Sequence, residues 1–564
     1  MDHPVLASRL PSWLVFVRAT LAAAAGLAGL SRLDALEASR LFGDHMVLQR
    51  GQPLPISGSR AAPGAHVAVD LRRADGSHVA QTHGTADAQG HWLALLAPLA
   101  HPETRPLELR ISDGSSTLVF RDVLVGDVWF CGGQSNMNMT LAHHASRDPD
   151  RPFKHTGEAG GFRLPDYDEL TDGSIRHFGV ERTTSPVALN ELSSDLDRDV
   201  WTENRWQRSD GPQVGAFTAA GYAFARSCRR ALLARGEDVP IGLIRASWGG
   251  TYIETWMSPE ALASPAFSAI VAKRRAFVTT GQARARAAGD TPAAARLEAH
   301  VPSSAFHAMI HPWRRFPIRG FLWYQGENNT ADHEYYANEL RALIRDWRAR
   351  WADETLPFIW VQLPGLPRPG KGPDGPLWPR LRVAQAAVQD EPHTAMVTAL
   401  DLGSTVLTPR NSDLEIHPRT KDRLGARLAL AALKLAYGFR DLPESPRLLS
   451  ALRDDAGRVQ VRFNTGGVGL ATSDGKPVAG VELLGADGVA HPAEQVWLEG
   501  DSLWAASREV AHPAEVRYAW TNEGRGNLCR ALPATLPRPG GEVEHLGFLP
   551  VGTFSSRVLP TLSP

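Results

Sequence analysis

From residue 123 to about 440 the chain repeats one pattern. A short apolar run is followed by a break of glycine, proline or polar residues, and then by a helical stretch. The runs are Val123–Cys131, Ile241–Ser247, Phe321–Tyr324, Phe358–Leu363 and Met396–Leu400. Between them, Tyr336, Leu340, Leu343, Ile344 and Trp347 recur at the spacing of one helix face, and Leu424, Leu428, Ala431, Ala432 and Leu435 do the same. Strands that alternate with helices predict an α/β fold, a parallel sheet with helices on both faces. Ligands of such sheets sit beyond the carboxyl ends of the strands, so chemistry is sought in the residues that follow each run.

The flanks follow a different period. From Ser39 to about Arg121, short alternating strands are separated by turn residues such as Gly51-Gln52-Pro53 and Ala62-Pro63-Gly64. After Gly438 the alternation returns in Val459–Phe463, Val481–Leu484, Val496–Leu498, Leu503–Ala505 and Val516–Ala519. The expected division is therefore a leader over 1–38, an N-terminal β domain over 39–122 and a catalytic α/β domain over 123–440. A C-terminal β-sandwich over 441–540 and a tail over 541–564 complete it. Arg9 and Arg18 flank the apolar run Trp13–Val17, and Leu21–Leu30 is a second apolar run. That order reads as a secretory leader and implies a periplasmic or secreted enzyme. Elsewhere nothing approaches the roughly 18 apolar residues that a membrane span needs. The polar segment His143–Leu170 reads as a long loop.

Charge and cysteine content narrow the chemistry. The chain has 60 Lys+Arg against 61 Asp+Glu, a formal net charge of -1, so it carries no electrostatic footprint for nucleic acid. Three cysteines in so long a chain exclude a disulfide-stapled scaffold, and Cys131, Cys228 and Cys529 have no CxxC spacing, which argues against a cysteine zinc site. No carboxylate cluster accompanies His143-His144, so no metal is read there, and no organic cofactor is implied. The oligomeric state is left open.

The strand ends carry the unusual residues. The first gives Gly133-Gln134-Ser135-Asn136-Met137, the second Ser247-Trp248-Gly249-Gly250-Thr251, and the third Trp323-Tyr324-Gln325-Gly326-Glu327-Asn328. A later loop ends in His417-Pro418, with Pro418 suited to a first helical turn. Serine early and histidine late is a serine-hydrolase order: the hydroxyl needs a base within hydrogen-bond reach, and the tetrahedral intermediate needs donors at its oxyanion. The candidate donors are the Ser135 amide, the Gly250 amide and the Gln325 side chain. Glu254 and Glu327 read as structural hydrogen-bonders.

The segment Asp127-Val128-Trp129-Phe130-Cys131-Gly132-Gly133-Gln134-Ser135-Asn136-Met137 resembles the nucleophile block of the sialate O-acetylesterase family, a branch of the SGNH (GDSL-type) hydrolases. Phe217–Tyr222, Ser247–Trp256, Trp323–Asn328, Ile416–Pro418, Leu41–Arg50 and Arg517–Pro533 resemble that family too, in its order, over about residues 40 to 535. The resemblance implies an SGNH-type, flavodoxin-like three-layer sheet. It implies Ser135 as nucleophile, His417 as base, and Ser135, Gly250 and Gln325 as the oxyanion hole. The implied reaction is removal of O-acetyl groups from an acetylated carbohydrate substrate, through an acetyl-enzyme. Alternatives are an acetylxylan or other polysaccharide deacetylase of the same mechanism, and a non-catalytic glycan-binding protein on the same fold.

The acid departs from the family pattern. Leu414 stands three residues before His417, Glu415 two before and Asp413 four before. Glu415 holds the matching position and is assigned to orient the imidazole. Asp413 in its place, or a Ser-His dyad, are the other arrangements. A decoy also needs naming: Gly500-Asp501-Ser502-Leu503 spells GDSL, but it lies between two short strands and reads as a hairpin turn.

Overall fold

The computed structural model describes residues 35–146, 171–193, 204–367, 376–403, 416–418 and 420–560. The leader up to residue 34 therefore lies outside the described residues, as does the loop expected after His143 from residue 147 to 170. His143 itself is exposed in a helical turn, Leu141–Ser146.

The central sheet is built from β1 (Thr117–Gly133), β2 (Ile175–Gly179), β3 (Trp206–Arg208), β4 (Ile241–Ser247), β5 (Gly320–Tyr324), β6 (Phe358–Gln362) and β7 (Thr394–Thr398). Their order is β3-β2-β4-β1-β5-β6-β7. All neighbours are parallel except β3, which runs against β2. The mixed α/β architecture expected from the alternating pattern is thus observed.

Side chains of β1 show why helices are needed on both sides. Trp129 meets Phe224 of helix α2 (Ala219–Ala234), with ring centroids 5.1 Å apart. The next residue, Phe130, points the other way and meets Trp347 of helix α3 (His333–Arg350) at 5.8 Å. Both are fully buried, as period-2 alternation between two apolar layers requires. A further helix, α4 (Leu377–Ala386), precedes β7, and α5 (Lys421–Tyr437) lies against α2. At that crossing a Cβ on Gly425 would stand 2.4 Å from Ala223 Cβ, so glycine lets the two backbones approach.

Two differences from the sequence reading bear on the site. The strand expected at Val123–Cys131 runs from Thr117 to Gly133. Its first part pairs with Glu103–Ser112 of the N-terminal β region and its last part with β4 and β5. Backbone pairing continues through exposed residues that periodicity leaves out. The second difference concerns His417 and Pro418, which precede helix α5 by a turn instead of opening it. A residue before proline is disfavoured in helical conformation, which keeps His417 outside the helix, and the helix itself starts at Lys421.

The N-terminal β region contains a second sheet of Glu37–Ala38, Leu54–Ser59 and Trp92–Leu96. Past residue 441, antiparallel sheets enclose a separate core that includes Val461, Phe463, Leu503, Val516 and Tyr518. Beyond residue 541, Phe554–Arg557 pairs with Glu515–Tyr518 of this core, while Val543–Gly547 pairs with Ala534–Pro537, and the buried Ala534, Leu536 and Leu546 of that pair belong to the main core.

Candidate active site

Ser135 stands two residues past the end of β1. Gly133 makes the turn with φ +132°, and a Cβ there would lie 2.2 Å from the Tyr324 carbonyl oxygen. Only glycine tolerates both conditions. The Gln134 N–H donates to that same carbonyl at 3.0 Å, so the turn is bonded to the end of β5. Ser135 then opens the short helix α1 (Ser135–Asn138), where the first N–H groups have no carbonyl one turn back. It is half-buried, while Gln134 and Asn136 on either side are buried. Thr218 holds α1 from the side of α2. Its hydroxyl donates to the Met137 carbonyl at 2.6 Å and accepts the Gly221 N–H, capping α2.

The second strand end reaches the same place. The Trp248 N–H donates to the Gly133 carbonyl at 3.1 Å, and a Cβ on Gly249 would stand 3.4 Å from Ser135 Cβ. Gly250 follows with φ +77°, exposed, with open space where a Cβ would point. Its carbonyl accepts Asn328 Nδ2 at 2.6 Å, which fixes the orientation of the loop.

Gln325 is fully buried. Its Nε2 donates to Asn329 Oδ1 at 2.7 Å and to the Thr251 carbonyl at 3.2 Å, and its Oε1 accepts the Tyr336 hydroxyl at 2.8 Å. Both amide hydrogens have acceptors, so the side chain as it stands fastens two loops together. Asn329 also accepts the Ile253 N–H and donates to Glu254, which in turn accepts from Arg274 Nε at 2.8 Å. Burial pushes the Glu254 carboxyl up and Arg274 opposes it. Glu254 is a hydrogen-bonding support, as its sequence context suggested.

His417 is half-buried between Ile416 and Pro418. The two acids considered for it, Glu415 and Asp413, lie outside the described residues. Among the described residues no group of three or more His, Cys, Asp or Glu side chains is arranged to hold a metal.

The sequence reading missed a buried polar node beside Ser135. Asn136 Nδ2 donates to Glu327 Oε1 at 2.5 Å and to the Ile416 carbonyl at 2.9 Å. Lys421 Nζ donates to Asn136 Oδ1 at 2.5 Å and lies 5.1 Å from the centre of the Tyr324 ring. Burial lowers the Lys421 ammonium to about 7, against the pull of Glu327. Burial also raises the Glu327 carboxyl, against its bond from Asn136. The available signal was positional: Asn136 follows the serine, and Lys421 lies four residues past the histidine.

Ser502 of the decoy is the first residue of a strand that pairs with Glu499 across a two-residue turn, and its hydroxyl accepts from Gln460. It is a hairpin residue.

Residues 294–434 match the family model described as carbohydrate esterase, sialic acid-specific acetylesterase. The sialate O-acetylesterase of Mus musculus is 27% identical over 76% of this chain and 77% of its own length. That of Homo sapiens is 28% identical over 72% and 73% respectively. Among solved structures, a carbohydrate acetylesterase from Xanthomonas citri is 31% identical with a TM-score of 0.71, covering 93% of this chain and 99% of that one.

Proposed function

Since this chain belongs to the sialate O-acetylesterase family and is a carboxylic ester hydrolase, we propose that it deacetylates carbohydrates through an acetyl-enzyme on Ser135. The observation that carries this reading is the convergence on one serine. The Gly133 turn is bonded to the ends of β4 and β5, and Gly249 packs against Ser135 itself. The non-catalytic alternative is set aside, because the relatives are esterases. The order β4-β1-β5-β6-β7 supports an SGNH-type, flavodoxin-like sheet, with β2 and β3 added at one edge.

In this mechanism Ser135 Oγ attacks the acetyl carbonyl carbon as its proton passes to His417. The carbonyl electron pair moves onto oxygen, and the Ser135 and Gly250 N–H groups stabilise it. Gln325 joins as a third donor by exchanging its Thr251 acceptor. The bond to the sugar oxygen breaks, and His417 returns its proton to that oxygen. Water then attacks the acetyl-serine, releasing acetate and restoring Ser135. Glu415 is assigned to orient the imidazole, with Asp413 as the other choice of acid.

The substrate class is an acetylated sugar, with O-acetylated sialic acid the first reading. The Xanthomonas citri protein is a carbohydrate acetylesterase, the wider class, and this favours a second reading on a polysaccharide such as acetylxylan. The charged and apolar pattern near the start of the chain supports export. No helix among the described residues is long and apolar enough to cross a membrane.

The test is acetate release from acetylated sialic acid, acetylxylan and aryl acetates. Wild type releases acetate and Ser135→Ala does not. Full activity in the variant overturns the mechanism, and the substrate panel decides between the two sugars.

A further inference from the structure

We infer that Asn136, clamped between Lys421 and Glu327, is a positioning residue that fixes the spacing between the nucleophile and the base. The inference rests on the reading of Ser135 and His417 given above. Asn136 directly follows Ser135, and Ile416 directly precedes His417. The bond from Asn136 Nδ2 to the Ile416 carbonyl therefore ties the two catalytic backbones with one side chain between them.

The amide has little freedom to turn. One hydrogen goes to Ile416, the other to Glu327, and the oxygen takes the Lys421 ammonium. The cation stands at the oxygen end of the amide dipole and the anion at its nitrogen end, so each bond strengthens the others. The three partners come from three separate segments: the 3-10 turn Glu327–Asp332 after β5, the histidine turn and the start of α5. One amide thus holds all three to the nucleophile helix.

The node is an expensive way to obtain stability alone. Asn136 is fully buried, Lys421 is 2% exposed and Glu327 is 6% exposed. Glu327 Oε2 and the Tyr324 hydroxyl have no hydrogen-bond partner among the described residues. Two charges withdrawn from water recover their desolvation cost poorly, and packed apolar residues commonly stabilise as well or better. What the charged arrangement supplies is direction. A misplacement of about 1 Å in a catalytic pair costs roughly 100-fold in rate, so a device that fixes the pair has a large effect to offer.

The experiment compares Lys421→Met, Asn136→Ala, Glu327→Ala and Glu327→Gln on an aryl acetate. Rates are counted per folded molecule, using thermal midpoints and complete end-point labelling of Ser135 by a fluorophosphonate. The inference expects Lys421→Met and Asn136→Ala to lower kcat roughly 10- to 100-fold with KM little changed. Glu327→Gln keeps an acceptor for Asn136 and should recover most of what Glu327→Ala loses. Wild-type kcat per folded molecule in Lys421→Met and Asn136→Ala, whatever their thermal midpoints, overturns the inference and leaves a structural ion pair. Should those chains fail to fold, Asn136→Asp preserves shape and removes both donors. It is expected to lose at least about tenfold, and unchanged kcat in it is equally fatal. Ser135→Ala separates the two readings. If it stays active, the nucleophile assignment is at fault; if it is inactive while Lys421→Met is normal, only the positioning role is lost.

Discussion

Ser135 and Ser502 each follow a glycine by two residues, Gly133 and Gly500, and they have opposite fates. Gly133 has φ +132° and its α-hydrogens face the Tyr324 carbonyl, so the chain leaves a central parallel strand by a turn few residues can make. Gly500 has φ +57° with open space around it, and Asp501 pins the turn by accepting the Thr465 hydroxyl and the Gly469 N–H. Ser135 emerges at a strand end where two other loops arrive. Ser502 enters an antiparallel strand and spends its hydroxyl on Gln460. Local letters are nearly alike, and the sheet into which they are built decides whether a hydroxyl can react.

The comparison can be broken most forcefully by Ser135→Ala, which should cost at least about 1,000-fold in kcat/KM on an aryl acetate. A loss under tenfold would mean that the nucleophile is elsewhere. Gly133→Ala comes next. Added strain and a backbone clash should lower stability by about 3 kcal/mol or more, read from a denaturant midpoint. Little change there would mean the turn is less constrained than its geometry indicates. Gln325→Ala tests whether a fastened amide also serves the oxyanion. About a tenfold drop in kcat is expected, less than for a dedicated donor, because its hydrogen is shared with Thr251.

A smaller effect follows from Lys421, whose ammonium loses its proton as pH rises through about 7. Facing it are the Glu327 carboxylate, the Tyr324 ring and the Asn136 amide, with His417 four residues earlier on its own segment and Tyr336 beyond Glu327. Below that pH the bond to Asn136 is charge-assisted, and above it the amine donates more weakly. Wild-type kcat should therefore fall about two- to threefold from pH 7 to 9, a limb that Lys421→Met lacks. Identical profiles would detach the lysine from catalysis. Ser502→Ala should move least, with activity unchanged and about 1 kcal/mol of stability lost with its hydrogen bond.

Much of this was legible in the sequence because strand ends are marked by abrupt changes in residue character. The glycines at 132–133 and 249–250 and the proline at 418 announce turns through their own backbone restrictions. The partners of Gln325 were not legible. Its side chain reads as a free amide until Thr251 and Asn329 are brought beside it by the crossing of two loops. Lys421 is a still clearer case. A lysine at a helix start is ordinarily solvated, and only the arrival of α5 against the Ser135–Asn136 turn buries it. The length of β1 was hidden for another reason, since backbone pairing leaves no mark on side-chain periodicity when one stretch is exposed.

That long strand has a mechanical consequence. Thr117–Gly133 pairs with the N-terminal β region at one end and with the catalytic sheet at the other, with an irregularity at Arg121–Asp122, where Asp122 has φ +56°. One continuous strand thus belongs to both sheets. The β region and the Ser135 turn accordingly share one backbone element, and that turn is bonded to the residues at the ends of β4 and β5. Cutting the chain between residues 122 and 123 would not separate two parts. It would sever the strand that leads into the Ser135 turn.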